Sequence, residues 1–444
     1  MRIIIAGAGE VGTHLAKLLS RENMDITLID EDRERLGDLD ANYDMLTKVA
    51  SPTSIRDLKD VGVHGVDLFV AVTPHETTNM TACLLANKLG AKKTLARIDN
   101  YEYLLPENAQ LFKEMGLNHL IYPEVLAAKE IVDAIHVNWM RYHLLLCDGA
   151  LELCVVKVRD NAPIIRQKFS SGVFSHGKFR IVAIKRGAQT IIPRGNDEIQ
   201  PDDLVYFVCT KENIDFVRQQ AGKDSHDMHN IIFVGGSRIA QKAVKELGDD
   251  KNIRVIEPNR ERCYQLSEKL NNALIINANG SDLEVLKEEG IQDTDAFIAV
   301  SDNSEANLFA CMAAQKFGVR RTIAEVENID YIPLAEGLDI GAVINKKLIA
   351  SSYIYQMLLN ASVLNVRNLT SADAQIVEFE VKEGSRITKH KIKDIDLPEN
   401  VNIGGLVRDG IGILVNGDTL ILPDDKVVVF CRASDIRKID KFFR

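Results

Sequence analysis

A chain of 444 residues has room for two to four domains. With 46% hydrophobic and 27% charged residues it reads as ordinary globular protein, and a net charge of −10 gives no global basic footprint for nucleic acid or an anionic membrane. No apolar run approaches the roughly 18 residues that span a bilayer, and the chain opens directly on a strand, so neither a membrane span nor a signal peptide is expected.

The first thirty residues organise the rest. Ile3 to Ala6 reads as a short buried strand, and it runs straight into Gly7-Ala8-Gly9-Glu10-Val11-Gly12, a match to G-x-G-x-x-G. Val11, Leu15, Leu18 and Leu19 then recur at helical spacing, and a second strand, Ile26 to Ile29, ends on Asp30. In this order Gly7 makes the tight turn, Gly9 lets backbone approach a pyrophosphate, and Gly12 lets the helix pack close. The helix N-terminus offers free N–H groups and a positive dipole end to phosphate, and Asp30 stands where a carboxylate accepts from ribose hydroxyls.

Further strands are expected near 45–49, 68–72, 94–98 and 119–122, alternating with helical stretches, which predicts a parallel sheet covered on both faces. A helix over 123–136 leads out of this lobe, with apolar residues on more than one side that pack either on another subunit or on its own lobe. The next lobe has strands at 151–159, 179–184, 190–192 and 204–209, a Pro201-Asp202-Asp203 turn and a closing helix from Asn213 to Ala221: a small α+β unit. The polar stretch Gly222 to His229 reads as a linker.

The chain then repeats itself. Residues 61–73 recur as 289–301, 77–98 as 305–326 and 3–19 as 231–247, all at one offset. Residues 181–209 align without gaps to 403–431, and 345–359 is the counterpart of the first exit helix. The fold class expected is therefore α/β, with two tandem units, each a Rossmann-like parallel-sheet N-lobe followed by a small α+β C-lobe.

Around the glycine turn, Thr73-Pro74 follows the fourth strand at the carboxyl end of the sheet, where such sheets bind ligands, and reads either as a ribose or phosphate contact or as turn punctuation. Arg97 ends the fifth strand among apolar residues and needs an anion, either a phosphate or a salt bridge to Asp30 or Glu76. Ser51, in Ala50-Ser51-Pro52, occupies the place of Gly280-Ser281-Asp282 in the second copy, which would line an adenine pocket. The second copy offers Gly235, Gly236, Ser237, Arg238 and Ile239, with Glu257 matching Asp30. There Ser237 replaces Gly9 and crowds the pyrophosphate, Ala240 replaces Gly12, and Glu325 replaces Arg97, so this copy is expected to bind a nucleotide weakly, a less charged ligand such as a nucleoside, or nothing.

His226, His229, Asp224 and Asp227 lie in the polar linker and read as a solvated loop, so no metal site is expected. His75 with Glu76 lacks a paired base or nucleophile, and no catalytic constellation is visible. The seven cysteines are scattered without C-x-x-C and read as buried thiols of a reducing cytoplasm.

GAGEVG, Asp30, AVTPHETTNMTAC, LARI, the PDD turn before the last strand of each second lobe and the tandem duplication together resemble the TrkA family, peripheral regulatory subunits of bacterial and archaeal Trk potassium-uptake systems. The resemblance covers the whole chain. It implies RCK (KTN) N-lobes at 1–122 and 230–344, exit or crossover helices at 123–143 and 345–360, TrkA-C lobes at 144–222 and 361–444, and a linker at 223–229. It also implies NAD(H) as ligand, with ATP or ADP as alternatives, bound in the first site by Gly7 to Val11, Asp30, Thr73-Pro74 and Arg97. Gly235 to Ile239 and Glu257 match the second site. The implied role is not enzymatic: a cytoplasmic ring of lobes, peripheral on the inner face of the membrane, gates an integral-membrane potassium transporter, with no nucleic-acid partner. An NAD-dependent oxidoreductase and a free-standing nucleotide sensor are the alternatives.

Overall fold

The computed structural model describes all residues except 21–23, 38, 175, 188, 359–362, 369–373, 399, 432–434 and 444. Four sheets follow one another along the chain. The first N-lobe carries β1 (Arg2–Ala6), β2 (Asp25–Asp30), β3 (Leu46–Val49), β4 (Leu68–Ala71), β5 (Thr94–Arg97) and β6 (His119–Ile121), ordered β3-β2-β1-β4-β5-β6 with every pairing parallel. Sequence order reverses between β1 and β4, the switch point of a doubly wound sheet, where the two crossovers leave in opposite directions and open a crevice. Ile3 to Ala6 and Leu68 to Ala71 are fully buried, because a central parallel strand has a helical layer on both faces.

The first C-lobe contains β7 (Tyr142–Leu146), β8 (Leu151–Lys157), β9 (Phe179–Arg186), β10 (Gln189–Ile191) and β11 (Leu204–Cys209), an antiparallel sheet in the order β10-β9-β11-β8-β7. The strand β7 is an addition to the sequence reading. Its segment YHLLL is mostly half-exposed and does not alternate, so its pattern carries no period-2 signal.

The second half repeats both architectures. β12 (Asn230–Val234), β13 (Asn252–Glu257), β14 (Ala273–Asn277), β15 (Ala296–Ala299), β16 (Arg321–Glu325) and β17 (Ala342–Ile344) pair in parallel as β14-β13-β12-β15-β16-β17. β18 (Val363–Asn368), β19 (Gln375–Glu380), β20 (Val401–Arg408), β21 (Ile411–Leu414) and β22 (Lys426–Cys431) form the second antiparallel sheet, β18-β19-β22-β20-β21. The tandem α/β organisation expected from the repeats is the observed fold.

The chain divides into two compact units that do not follow the repeat boundary. One contains residues 1–127 together with 345–358; the other contains 128–344 and 359–444. In the first unit, the second crossover helix, Lys346–Leu358, packs on the glycine-loop helix, Glu10–Ser20, of the first N-lobe. Ala350 and Ile354 of this helix are buried. The expected end of this helix at 359–360 and the start of the last lobe at 361 lie outside the described residues.

In the second unit the two C-lobes share one core, in which Leu151, Val182 and Val208 cluster with Ile376, Val407 and Phe430. The lobes approach closely at Gly404, where a Cβ would lie 3.1 Å from both Val182 and Val208 of the first C-lobe. Beside this core Arg180 Nη2 donates to Asn402 Oδ1 at 3.0 Å. Among the described residues the seven cysteines form no disulfide, and six of them are buried. Burial pushes the Cys83 thiol well above its ordinary range and Cys311 up to about 12, as expected for thiols in apolar surroundings.

Candidate nucleotide-binding crevice

The first crevice is built at the carboxyl ends of β1 to β5. Gly7 follows β1 at φ +109°, a left-handed conformation, and a Cβ there would sit 3.0 Å from the Thr73 nitrogen, so only glycine fits against the turn after β4. Gly12 is equally constrained, since its Cβ would lie 1.9 Å from the Gly7 carbonyl oxygen. Gly9 differs: an added Cβ would meet nothing within 4 Å. The loop backbone there faces open space, as a backbone that receives a phosphate must. Thr13, in the helix, donates its hydroxyl to the Ala8 carbonyl at 3.0 Å and its N–H to the Gly9 carbonyl, which pins the loop from below. Glu10 and Val11 open the helix, where first-turn N–H groups have no carbonyl within the helix to meet.

Asp30 ends β2 and accepts from Ala8 N–H at 2.7 Å through one oxygen and from Asp32 N–H at 2.9 Å through the other. The carboxylate therefore orders the glycine loop itself. With about four lone-pair sites it keeps acceptor capacity for ribose hydroxyls. Ser51 lies next to it: Ala50 N–H donates to the Asp30 carbonyl, Ser51 N–H donates to Asp57 Oδ2, and the Ser51 hydroxyl is 3.3 Å from that of Thr53.

Thr73 and Pro74 form the turn after β4, and Thr73 is held by a residue whose role the sequence reading missed. Asn79 is fully buried on the following helix, Glu76–Lys88. Its side-chain oxygen accepts both the Thr73 N–H (2.8 Å) and the Thr73 hydroxyl (2.7 Å); its amide donates to the carbonyls of Thr73 (3.0 Å) and Arg97 (2.9 Å). One side chain thus ties the ends of β4 and β5 together. The repeat carried the signal, since Asn307 holds Ser301 and Glu325 in the same way in the second copy.

Arg97 corrects an expectation. Its Nη2 lies 3.4 Å from Glu124 and 3.8 Å from Asp99, so its carboxylate partners are neither Asp30 nor Glu76. Asp30 is occupied by the glycine loop. Glu76 accepts the N–H groups of Asp99 and Asn100 at 2.7 and 3.0 Å.

The second crevice repeats the frame with different chemistry. Gly235 turns at φ +95° against Ser301, and Gly236 N–H donates to Glu257 at 2.9 Å, the counterpart of Ala8 and Asp30. Ser237 caps the helix Arg238–Leu247 and receives Ala240 N–H at 3.4 Å, and Ile239 is buried beneath it. Glu257 and Glu325 are both buried, so carboxylates occupy two positions where the first crevice has Asp30 and an arginine. Among the described residues no His, Cys, Asp and Glu group is arranged to hold a metal ion, and no helix is long and apolar enough to cross a membrane.

Comparison with known proteins agrees with this architecture. The TrkA-N domain family matches residues 3–123 and again 231–346, and the TrkA-C domain family matches 153–222 and 376–444. The Trk system potassium uptake protein TrkA of Halomonas elongata is 29% identical over 100% of this chain and 99% of its own length. That of Vibrio alginolyticus is 31% identical, covering 97% of this chain and 95% of its own. That of Haemophilus influenzae is 30% identical over 100% and 99%. Among solved structures, the GsuK RCK domain superposes with a TM-score of 0.61 at 14% identity, covering all of this chain and 94% of that one. The GsuK channel bound to NAD gives 0.61 and 14%, with 100% and 78% covered. At that identity the likeness is one of fold.

Proposed function

The chain belongs to the TrkA family of Trk potassium uptake proteins, and from that membership we propose that it is a nucleotide-binding regulatory subunit that gates a membrane potassium transporter. The ligand is NAD(H), with ATP and ADP competing for the same crevice, and the Gly7–Gly12 loop, Ser51, Asp30 and the Thr73-Pro74 turn hold it. The observation that carries this reading is the pairing of open space at Gly9 with a carboxylate, Asp30, that fixes the glycine loop and has further lone pairs for ribose hydroxyls to donate to. The second crevice, with Glu257 and Glu325, favours a ligand of lower negative charge.

No catalytic role is assigned. An effector acts here by binding two arrangements of the lobes unequally. Identical chains close their lobes into a ring, the usual way such surfaces are satisfied, and the ring docks on the cytosolic side of the transporter. Two measurements test this. Isothermal titration of the purified protein with NADH, NAD, ATP and ADP should give binding that Gly9→Val abolishes. Potassium flux into liposomes holding the transporter should change when the protein is added and change again with nucleotide. Flux indifferent to both leaves a free-standing sensor; NADH consumption with a substrate points to an oxidoreductase.

A further inference from the structure

The second crossover helix turns Lys347, Ala350, Ser351 and Ile354 into the protein, a spacing of i, i+3, i+4 and i+7 that defines one helix face. A lysine at the head of a buried face requires an anion. Lys347 finds one in the glycine loop of the other repeat, with Nζ 2.5 Å from Glu10 Oε2. The pair is lopsided: the lysine side chain is 11% exposed and the glutamate 64%. The ammonium bears the desolvation while its partner stays largely in water, which weakens the attraction that should compensate. One turn on, the buried Ser351 hydroxyl has no hydrogen-bond partner among the described residues.

Glu10 stands between Gly9 and Val11 at a helix N-terminus, so Lys347 reaches the point where the loop opens to empty space and the helix dipole already favours negative charge. Arg97, the cation expected to grip phosphate, is engaged by Glu124 and Asp99. The first crossover helix carries that acid, Glu124, three residues beyond β6, as Lys347 stands three residues beyond β17. The two repeats thus present opposite charges at corresponding places.

We propose that Lys347, supplied by the second repeat, is the phosphate-binding cation of the first nucleotide crevice. Glu10 holds it in register until a nucleotide phosphate replaces the glutamate. The inference rests on the nucleotide reading of that crevice and extends it to the ligand's charge. A phosphate-bearing nucleotide gains a charge-assisted bond, whereas a neutral nucleoside gains none. Binding then shifts an ion pair that joins the glycine loop to the helix leading into the second C-lobe.

Isothermal titration with ATP, NADH and adenosine tests this on the full chain. Lys347→Gln should weaken ATP and NADH by roughly tenfold or more, as loss of a bond to a charged group does, and leave adenosine within about twofold. Lys347→Arg should keep nucleotide affinity. Glu10→Gln, which removes the competing anion, should tighten ATP and NADH. ATP and NADH affinities unchanged in Lys347→Gln would overturn the assignment, as would equal losses for adenosine. If the parent protein binds none of the three, the nucleotide reading itself fails; if it binds and Gly9→Val abolishes binding while Lys347→Gln does not alter it, only the role of Lys347 fails.

Discussion

A methyl group added at Gly9 enters open space, whereas one added at Gly12 comes to 1.9 Å from the Gly7 carbonyl oxygen. The two glycines of one motif therefore serve different ends, and substitution separates them. Gly12→Ala should lower unfolding stability by about 1–3 kcal/mol, the usual cost of forcing atoms into a packed site, measured as a shift of the urea midpoint. Gly9→Val should leave that midpoint unchanged and abolish titration with phosphate-bearing nucleotides. Asp30→Ala should do some of both. It leaves Ala8 N–H and Asp32 N–H without their acceptor and removes the proposed ribose acceptor, so nucleotide affinity should fall by an amount on the order of 1–3 kcal/mol. Equal titration curves for Asp30→Ala and the parent would remove Asp30 from the site.

Between elements, the buried Asn79 ties the ends of β4 and β5 together with four hydrogen bonds. Asn79→Ala strands the Thr73 N–H and the Arg97 carbonyl and should cost about 1–3 kcal/mol, with faster hydrogen exchange at Thr73 as the local readout. The outline of these elements was legible, since the sheet strands of the first N-lobe fall within a residue or so of the apolar runs that announced them. Their polar fastenings were not. Arg97 chose Glu124, and Lys347 chose Glu10; neither choice has a local pattern, because each is made by the topology that brings distant strand ends together. The same holds where the first C-lobe meets the second N-lobe. Asp339, before β17, accepts from Lys157 at 3.0 Å and is also paired with Arg141 and Arg159. Burial pushes its pKa up, but the Lys157 hydrogen bond and the three positive charges outweigh burial and leave it lowered. A carboxyl with a depressed folded pKa stabilises the fold above its unfolded pKa of about 3.9, and that contribution is lost as pH falls through the folded value. Asp339→Asn should therefore lower the urea midpoint at neutral pH and reduce its decline below about pH 4, whereas an unaltered acid profile would show the cluster to be idle.

At the scale of the whole molecule, the decisive fact is that duplication and packing do not share a boundary. The repeat breaks near the polar linker at 222–229, yet the compact unit built on the first N-lobe takes in residues 345–358 of the second repeat. The glycine-loop helix is covered by a helix that the chain reaches only after more than half its length. A first half ending at the linker would leave that cover behind, exposing the face of Glu10–Ser20 that Lys346–Leu358 now occupies. It would still carry its own crossover helix, Pro123–His136, whose Ala128, Ile131, Val132 and Ile135 are buried in the intact chain. An apolar helix and an apolar receiving surface on one polypeptide are satisfied when two copies exchange helices about a two-fold axis. Residues 1–222 expressed alone should accordingly form a dimer by light scattering, with a midpoint that rises with protein concentration, because association and folding are then linked. Lys347 is absent from that fragment, and Glu124 would stand at the head of the exchanged helix instead. Its affinity for ATP should fall well below that of the full chain while adenosine binds as before. A fragment that stays monomeric, or that binds ATP as tightly as the intact chain, would show that the first lobe completes its crevice without the second repeat.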